Sequence, residues 1–180
     1  MASGKGILIS HIMETFPEVK RLVSCTTRPQ RPGEVEGIDY FFLTRPEFER
    51  RIKAREFLEW TEFSGNLYGT LNSEILSHLE EGHVVINEMD LTGVRRLLTL
   101  LPRDRMTVVY VDAGDWETLK SRALARAPMS EEELDLRRAH YHEETAFKDK
   151  ADVIIKNNDD ELTEAKAHIE RVVRDIIDHQ

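Results

Sequence analysis

Val108-Val109-Tyr110-Val111 is a short, nearly unbroken apolar run, and Val84-Val85-Ile86 and Val153-Ile154-Ile155 repeat its character elsewhere in the chain. Apolar runs of this length, without polar alternation, fit strands buried on both faces. Between them lie helix-like stretches, Leu91 to Leu101 and Trp116 to Tyr141, and an amphipathic stretch from Glu161 to about Ile177 closes the chain. Strands that alternate with helices imply a parallel α/β sheet.

Upstream of these runs, Ile7 to Phe16 carries apolar residues at helical spacing and Pro17 ends it. Val23 begins a short extended stretch, and Arg28 to Gly37, with two prolines and two glycines, reads as an irregular loop. Tyr40 to Leu43 and Phe57 to Phe63 have the aromatic content of strands, with a short helix expected from Pro46 to Arg55. Ser73 to Glu81, followed by Gly82, reads as a further helix. The middle of the chain is therefore a β-rich insertion within one expected domain.

A chain of 180 residues with 40% apolar content suffices for one substantial core. No apolar run approaches the roughly 20 residues that span a bilayer, and Met1 to Gly6 lacks the order of a signal peptide, so a soluble, cytoplasmic protein is expected. The net charge of −9 speaks against broad contact with nucleic acid or anionic membrane. Two basic islands, Lys20, Arg21, Arg28 and Arg31, then Lys120, Arg122 and Arg126, point instead to small phosphorylated ligands. Cys25 is the single cysteine, expected as a buried spectator, and the seven histidines show no zinc-protease spacing.

Ser3-Gly4-Lys5-Gly6 resembles the second half of a phosphate-binding loop set directly before a helix. Backbone N–H groups at a helix N-terminus surround phosphate oxygens there, while a lysine offsets their charge. The first glycine of that pattern would fall before Met1, and its hydroxyl position holds Gly6. Arg28 and Arg31 are three residues apart on a proline-flanked loop, a spacing that lets two guanidiniums hold one phosphate with the Ser24 and Tyr40 hydroxyls completing the cage. Strand alternation puts Glu59 on the face of Phe57, Thr61 and Phe63, where a carboxylate needs a partner. Glu88 and Asp90 follow a strand, where α/β sheets bind ligands, although Asp90 also suits a helix cap. Arg122 and Arg126 share a helix face.

Thr-Thr-Arg at 26–28, Arg-Pro-Gly-Glu at 31–34, Asp-Tyr at 39–40, Phe-Leu-Glu-Trp at 57–60 and Gly-Asn-x-Tyr-Gly-Thr at 65–70 stand in the order and spacing of guanylate kinases, and the chain resembles that family over nearly its whole length. The resemblance implies a P-loop nucleoside monophosphate kinase fold with a parallel central sheet, a β-rich GMP-binding insertion and a helical lid. It implies a core of residues 1–22, 83–118 and 146–180, a GMP-binding region 23–82 and a lid 119–145.

The implied substrates are GMP and ATP, with Mg²⁺ carried by the nucleotide near Asp90 rather than by direct protein ligands. By the same resemblance Ser24, Arg28, Arg31, Tyr40 and Tyr68 bind the GMP phosphate, Glu59 and Thr70 read the guanine, and Glu88 and Asp90 help hold GMP and hydrated magnesium. A carboxylate suits the task at position 59, because guanine offers adjacent N1–H and N2–H donors and adenine does not. Ser3, Gly4, Lys5, Gly6 and Asn157 are the implied ATP site, with Asn157 beside the base or, equally, in a turn. Lys5, Arg122, Arg126 and Arg137 are the implied catalytic set. Two readings follow: an ATP:GMP phosphotransferase, monomeric or homodimeric, or a guanylate-kinase-like module, non-catalytic or truncated at its N-terminus, that binds GMP or a protein partner.

Overall fold

The computed structural model describes residues 3–63 and 65–179, so Met1 and Ala2 of the opening motif and the Phe63 side chain lie outside the described residues. The chain forms two compact units, one from Met1–Phe16 with Pro102–Gln180 and one from Pro17–Leu101. The expected GMP-binding region 23–82 falls within the second unit and the expected lid 119–145 within the first.

In the first unit, helix α1 (Lys5–Thr15) buries Leu8, Ile9 and Ile12, the i, i+1, i+4 stripe of a helix packed on one side. It packs against α7 (Leu162–Asp178), which presents Ala165, Ile169 and Val173 at four-residue intervals. His11 Nε2 lies 2.6 Å from Glu170 Oε1 across this pair. Strands β7 (Val109–Asp112) and β8 (Val153–Lys156) pair in parallel with Val109 opposite Val153; both apolar runs are strands as expected, but Ile154 is exposed, so β8 is not buried on both faces. The single helix predicted over Trp116 to Tyr141 is in fact two, α5 (Trp116–Arg126) and α6 (Glu131–Phe147). Pro128 cannot donate within a helix, and Ser130 restarts one by accepting from the Glu133 N–H at 3.2 Å.

The second unit begins with β1 (Lys20–Arg21), a strand its charged sequence hides, paired in parallel with β6 (Val85–Ile86). A four-stranded sheet of order β3-β2-β5-β4 follows, from β2 (Cys25–Thr26), β3 (Phe41–Phe42), β4 (Phe57–Phe63) and β5 (Asn66–Leu71). Pairing is parallel between β2 and β3 and antiparallel elsewhere in this sheet. Helix α2 (Arg45–Lys53) starts at a Thr44 cap with Pro46 in its first turn. The unit also holds α3 (Asn72–Glu80) and α4 (Leu91–Leu100), the latter capped by Asp90, whose Oδ1 accepts from the Gly93 N–H at 2.8 Å.

One face of this sheet is apolar. Cys25, Phe57, Leu67 and Leu71 cluster with Phe48 of α2, whose ring stacks on Phe57 at a centroid distance of 4.2 Å. Burying a side chain such as Phe48 stabilises the unit by about 1.5–3 kcal/mol. Burial also pushes the Cys25 thiol up to about 12. Gly69 is required at the centre, because a Cβ there would lie 2.7 Å from the Glu59 carbonyl oxygen and 3.0 Å from Phe57 Cδ1.

Candidate functional site

The other face of the same sheet is polar, and its composition follows from register. Residues directly opposite one another in a ladder project to the same side. Thr26 stands opposite Tyr68 and Phe42, Glu59 opposite Thr70, and Thr61 opposite Tyr68. Phe57, however, stands opposite Leu71, the neighbour of Thr70, because the register shifts between Phe57 and Glu59. This corrects the expected alternation: Glu59 is on the opposite face from Phe57, and the bulge at Leu58 turns the acid away from the core. Leu58 and Phe57 are both buried as a result.

Ser24, Tyr40, Glu59, Tyr68 and Thr70 thus meet on one surface. Ser24 Oγ lies 3.2 Å from Thr70 Oγ1, and Asn87 Nδ2 donates to Thr70 Oγ1 at 3.4 Å. Glu59 accepts from both the hydroxyl and the backbone N–H of Thr70. Either hydroxyl of the Ser24–Thr70 pair can donate to the other. Burial raises the proton affinity of Glu59, and the Asp90 charge adds to it against the Thr70 hydrogen bonds. Gly93 leaves room for this acid, since a Cβ there would approach Glu59 Oε2 to 3.3 Å.

Beyond β2 the chain leaves the sheet at Arg28, whose N–H donates to the Thr26 hydroxyl at 3.1 Å. The Arg28 guanidinium lies 5.6 Å from the Tyr40 ring centroid and 5.9 Å from that of Phe42. It donates to Glu34 Oε1 at 2.7 Å, while Glu34 Oε2 accepts from the Arg31 N–H at 2.8 Å. Hydrogen bonding to Glu34 raises the Arg28 pKa, with a further contribution from Tyr68. The rings of Tyr40 and Tyr68 meet edge to face at 6.2 Å. Burial raises the Tyr40 pKa, and the negative charge of exposed Glu88 adds to it. The Arg31 side chain is exposed beside this surface.

A second cluster occupies the first unit at the N-terminus of α1. Gly4 caps the helix with φ at +86°, without a side-chain cap, and its carbonyl accepts from Ile7 and Leu8. A Cβ at Gly4 would lie 2.2 Å from Asn157 Nδ2, so glycine is needed both for its dihedral and for space. Asn157 Nδ2 donates to the Ser3 carbonyl at 2.7 Å, and Lys5 Nζ lies 3.4 Å from Ser3 Oγ. Arg122 joins this cluster, donating to the Asn157 carbonyl at 3.1 Å and to Asp159 at 2.7 Å. Arg126 is exposed at the end of α5, and Arg137 pairs along α6 with Glu133 at 2.8 Å.

Three partners carry no role in the sequence reading: Glu34, which holds Arg28; Asn87, which holds Thr70; and Asp159, which holds Arg122. Glu34 had a sequence signal, since Arg31-Pro32-Gly33-Glu34 has the form of a turn that returns a carboxylate to its own loop. Asn87 and Asp159 act across 17 and 37 residues, which no local pattern encodes.

An α/β fold with a lysine at a glycine-capped helix N-terminus, and an arginine-tyrosine surface on a separate sheet, has the chemistry a nucleotide kinase requires. The chain belongs to the guanylate kinase family, whose sequence model matches residues 1–176. It is 40% identical to a guanylate kinase of Rubrobacter xylanophilus over 97% of this chain and 90% of that protein. It is 36% identical to one of Thermotoga maritima over 96% and 81%. The crystal structure of guanylate kinase from Anaplasma phagocytophilum matches the fold with a TM-score of 0.71 at 24% identity, covering 92% of this chain and 80% of that one.

Proposed function

We propose that this protein transfers the γ-phosphoryl group of ATP to an α-phosphate oxygen of GMP. That oxygen forms the new P–O bond, the bond to the ADP bridging oxygen breaks with its electron pair leaving on ADP, and GDP results. The observation that carries the reading is the half-buried Glu59 carboxylate beside Thr70, an acceptor in a partly desolvated position that matches the paired donors of guanine. Ser24, Arg28, Arg31, Tyr40 and Tyr68 bind the GMP phosphate, with Glu88 and Asp90 at the edge of that site. Ser3, Gly4, Lys5 and Gly6 hold the ATP phosphates through the α1 N-terminus, and Asn157 lies near the base. Lys5, Arg122, Arg126 and Arg137 offset the charge that develops during transfer.

Asp90 engages one oxygen in the α4 cap, and a carboxylate has a second for a hard cation or its water. Gly6 supplies no hydroxyl, so Asp90 is the residue that would hold a nucleotide-borne Mg²⁺, through water. Bound there, it would neutralise phosphate charge during transfer. Residues 1–22, 83–118 and 146–180 act as the core, 23–82 as the GMP-binding region and 119–145 as the lid. The same reading has the chain working in the cytoplasm as a monomer or homodimer, without nucleic-acid or membrane partners. Among the described residues, no helix is long and apolar enough to cross a membrane.

ADP release coupled to GDP formation tests the proposal, with GMP expected to support turnover far better than AMP. GMP binding by calorimetry without GDP formation would favour the second reading, a module that binds GMP or a protein partner and does not transfer. Gly6 at the hydroxyl position is the observation on that side. A folded sample that shows no GMP binding and no GMP turnover would overturn the enzyme and the GMP-binding module alike.

A further inference from the structure

Outside both clusters, the turn after α3 draws together two histidines and an acid. Glu81 ends the helix, Gly82 takes φ of +74°, and the His83 N–H reaches back to the His78 carbonyl at 2.9 Å. This is the six-to-one bond of a Schellman turn, which sets the residue beyond the glycine against the last helical turn. An apolar contact usually fills that place. Here two imidazoles do, with centroids 5.6 Å apart and planes inclined at 57°.

Both Nδ1 atoms face inward, out of solvent and without a hydrogen-bond partner. An inward Nδ1 that neither donates nor accepts is costly, and native proteins rarely leave one so. Glu81 Oε2 lies 3.2 Å from His83 Nδ1, outside hydrogen-bond alignment. One ligand atom from each of His78, Glu81 and His83 falls within 4.8 Å of the others.

We propose that His78, Glu81 and His83 form a binding site for a divalent transition cation of the zinc type. Each imidazole has a buried Nδ1 without a partner, and the exposed Glu81 carboxylate supplies an anionic third ligand. Ligand atoms around one Zn²⁺ sit about 3.4 Å apart, so the site closes by small side-chain rotations rather than by backbone movement. Nitrogen donors select zinc, nickel or copper over magnesium, which keeps this site distinct from the nucleotide's own metal. The ligands span only six residues, so little chain entropy opposes closure. The occupied site would clamp the turn that leads from α3 into β6.

The test is calorimetry with zinc chloride on the full chain, paired with ¹⁵N-detected imidazole NMR. The expected result is about one zinc per chain, with the Nδ1 resonances of His78 and His83 moving to metal-bound positions and Nε2 staying protonated. His83→Gln should weaken binding by more than about tenfold, and Glu81→Gln by less, while His140→Gln leaves it unchanged. At about a hundredfold excess over Kd the melting temperature should rise by roughly 5–10 °C, and millimolar Mg²⁺ should not reproduce the rise. Should the His83 variant fail to fold, the NMR shifts of the unaltered protein decide alone. Zinc binding that leaves both Nδ1 resonances in place, or that is lost in His140→Gln instead, overturns the assignment.

Discussion

The polar sheet face of residues 17–101 and the helix N-terminus of the other unit hold their charged groups in opposite ways. On the sheet, Glu59, Ser24 and Asn87 all converge on Thr70, and Arg28 is fixed by a Glu34 carboxylate that also binds the loop backbone. Recognition groups there are set by ladder register and do not need a ligand to find their positions. In the other unit, Arg122 rests on Asp159, whose side chain is 75% exposed, and Arg137 rests on Glu133 of its own helix. Exposed pairs of this kind contribute about 0–1 kcal/mol, so these arginines can change partners when a phosphate arrives. Rigid reading groups in one unit and exchangeable cations in the other fit an enzyme that must select one nucleotide and release another.

The comparison breaks first at Glu59. Glu59→Gln replaces an acceptor oxygen with a donor, and the ratio of kcat/KM for GMP over AMP should fall by ~10²–10⁴. An unchanged ratio would leave Glu59 a structural acid. Next, Arg28→Ala should reduce kcat/KM for GMP and AMP alike by roughly 10²-fold, because the phosphate is common to both. Arg122→Ala should instead lower kcat by about 10- to 100-fold with the GMP KM little altered. If the Arg122 variant raised the GMP KM, the division of labour between the two units would be wrong.

Smaller effects sharpen the same contrast through stability. Gly69→Ala forces a Cβ against the Glu59 carbonyl and should destabilise the protein by about 1–3 kcal/mol, read from the urea midpoint. Gly6→Ala meets nothing within 4 Å inside α1 and should stabilise by up to ~1 kcal/mol. The smallest effect concerns pH. Burial raises the Glu59 pKa above its ordinary 4.5, so the folded state holds that proton more tightly than the unfolded chain. Stability from this group is therefore present at low pH and falls as pH rises from about 4.5 through the raised value. Glu59→Gln without ligand should melt higher than the parent at pH 7, with the gain shrinking as pH falls through the raised value towards 4.5.

Most elements were legible because they rest on local chemistry: Pro17 stops α1, Thr44 and Pro46 start α2, and the apolar run at 108–111 yields β7. What stayed hidden was relational. Lys20–Arg21 carries no strand signal and is a strand only because β6 lies beside it. Glu59 shares its face with Thr61 as alternation predicts, but not with Phe57, because one bulge inverts everything before it and leaves no mark on periodicity. Arginine, tyrosine and carboxylate positions could be named from the motifs, but the carboxylates that restrain Arg28 and Arg122 emerge only from the folded chain. Pro128 marks the break between α5 and α6, although the helical pattern on either side of it is continuous.

Cys25 gives the protein a clock. It is the chain's single thiol, on a strand between the apolar cluster and the polar face, with its pKa near 12. Buried and held as the thiol, it is scarcely labelled by a thiol reagent at pH 8 until the sheet parts. The labelling half-life then counts openings of residues 17–101, without any probe added to the molecule. A nucleotide seated on the far side of that strand should lengthen the half-life in proportion to the open population it removes.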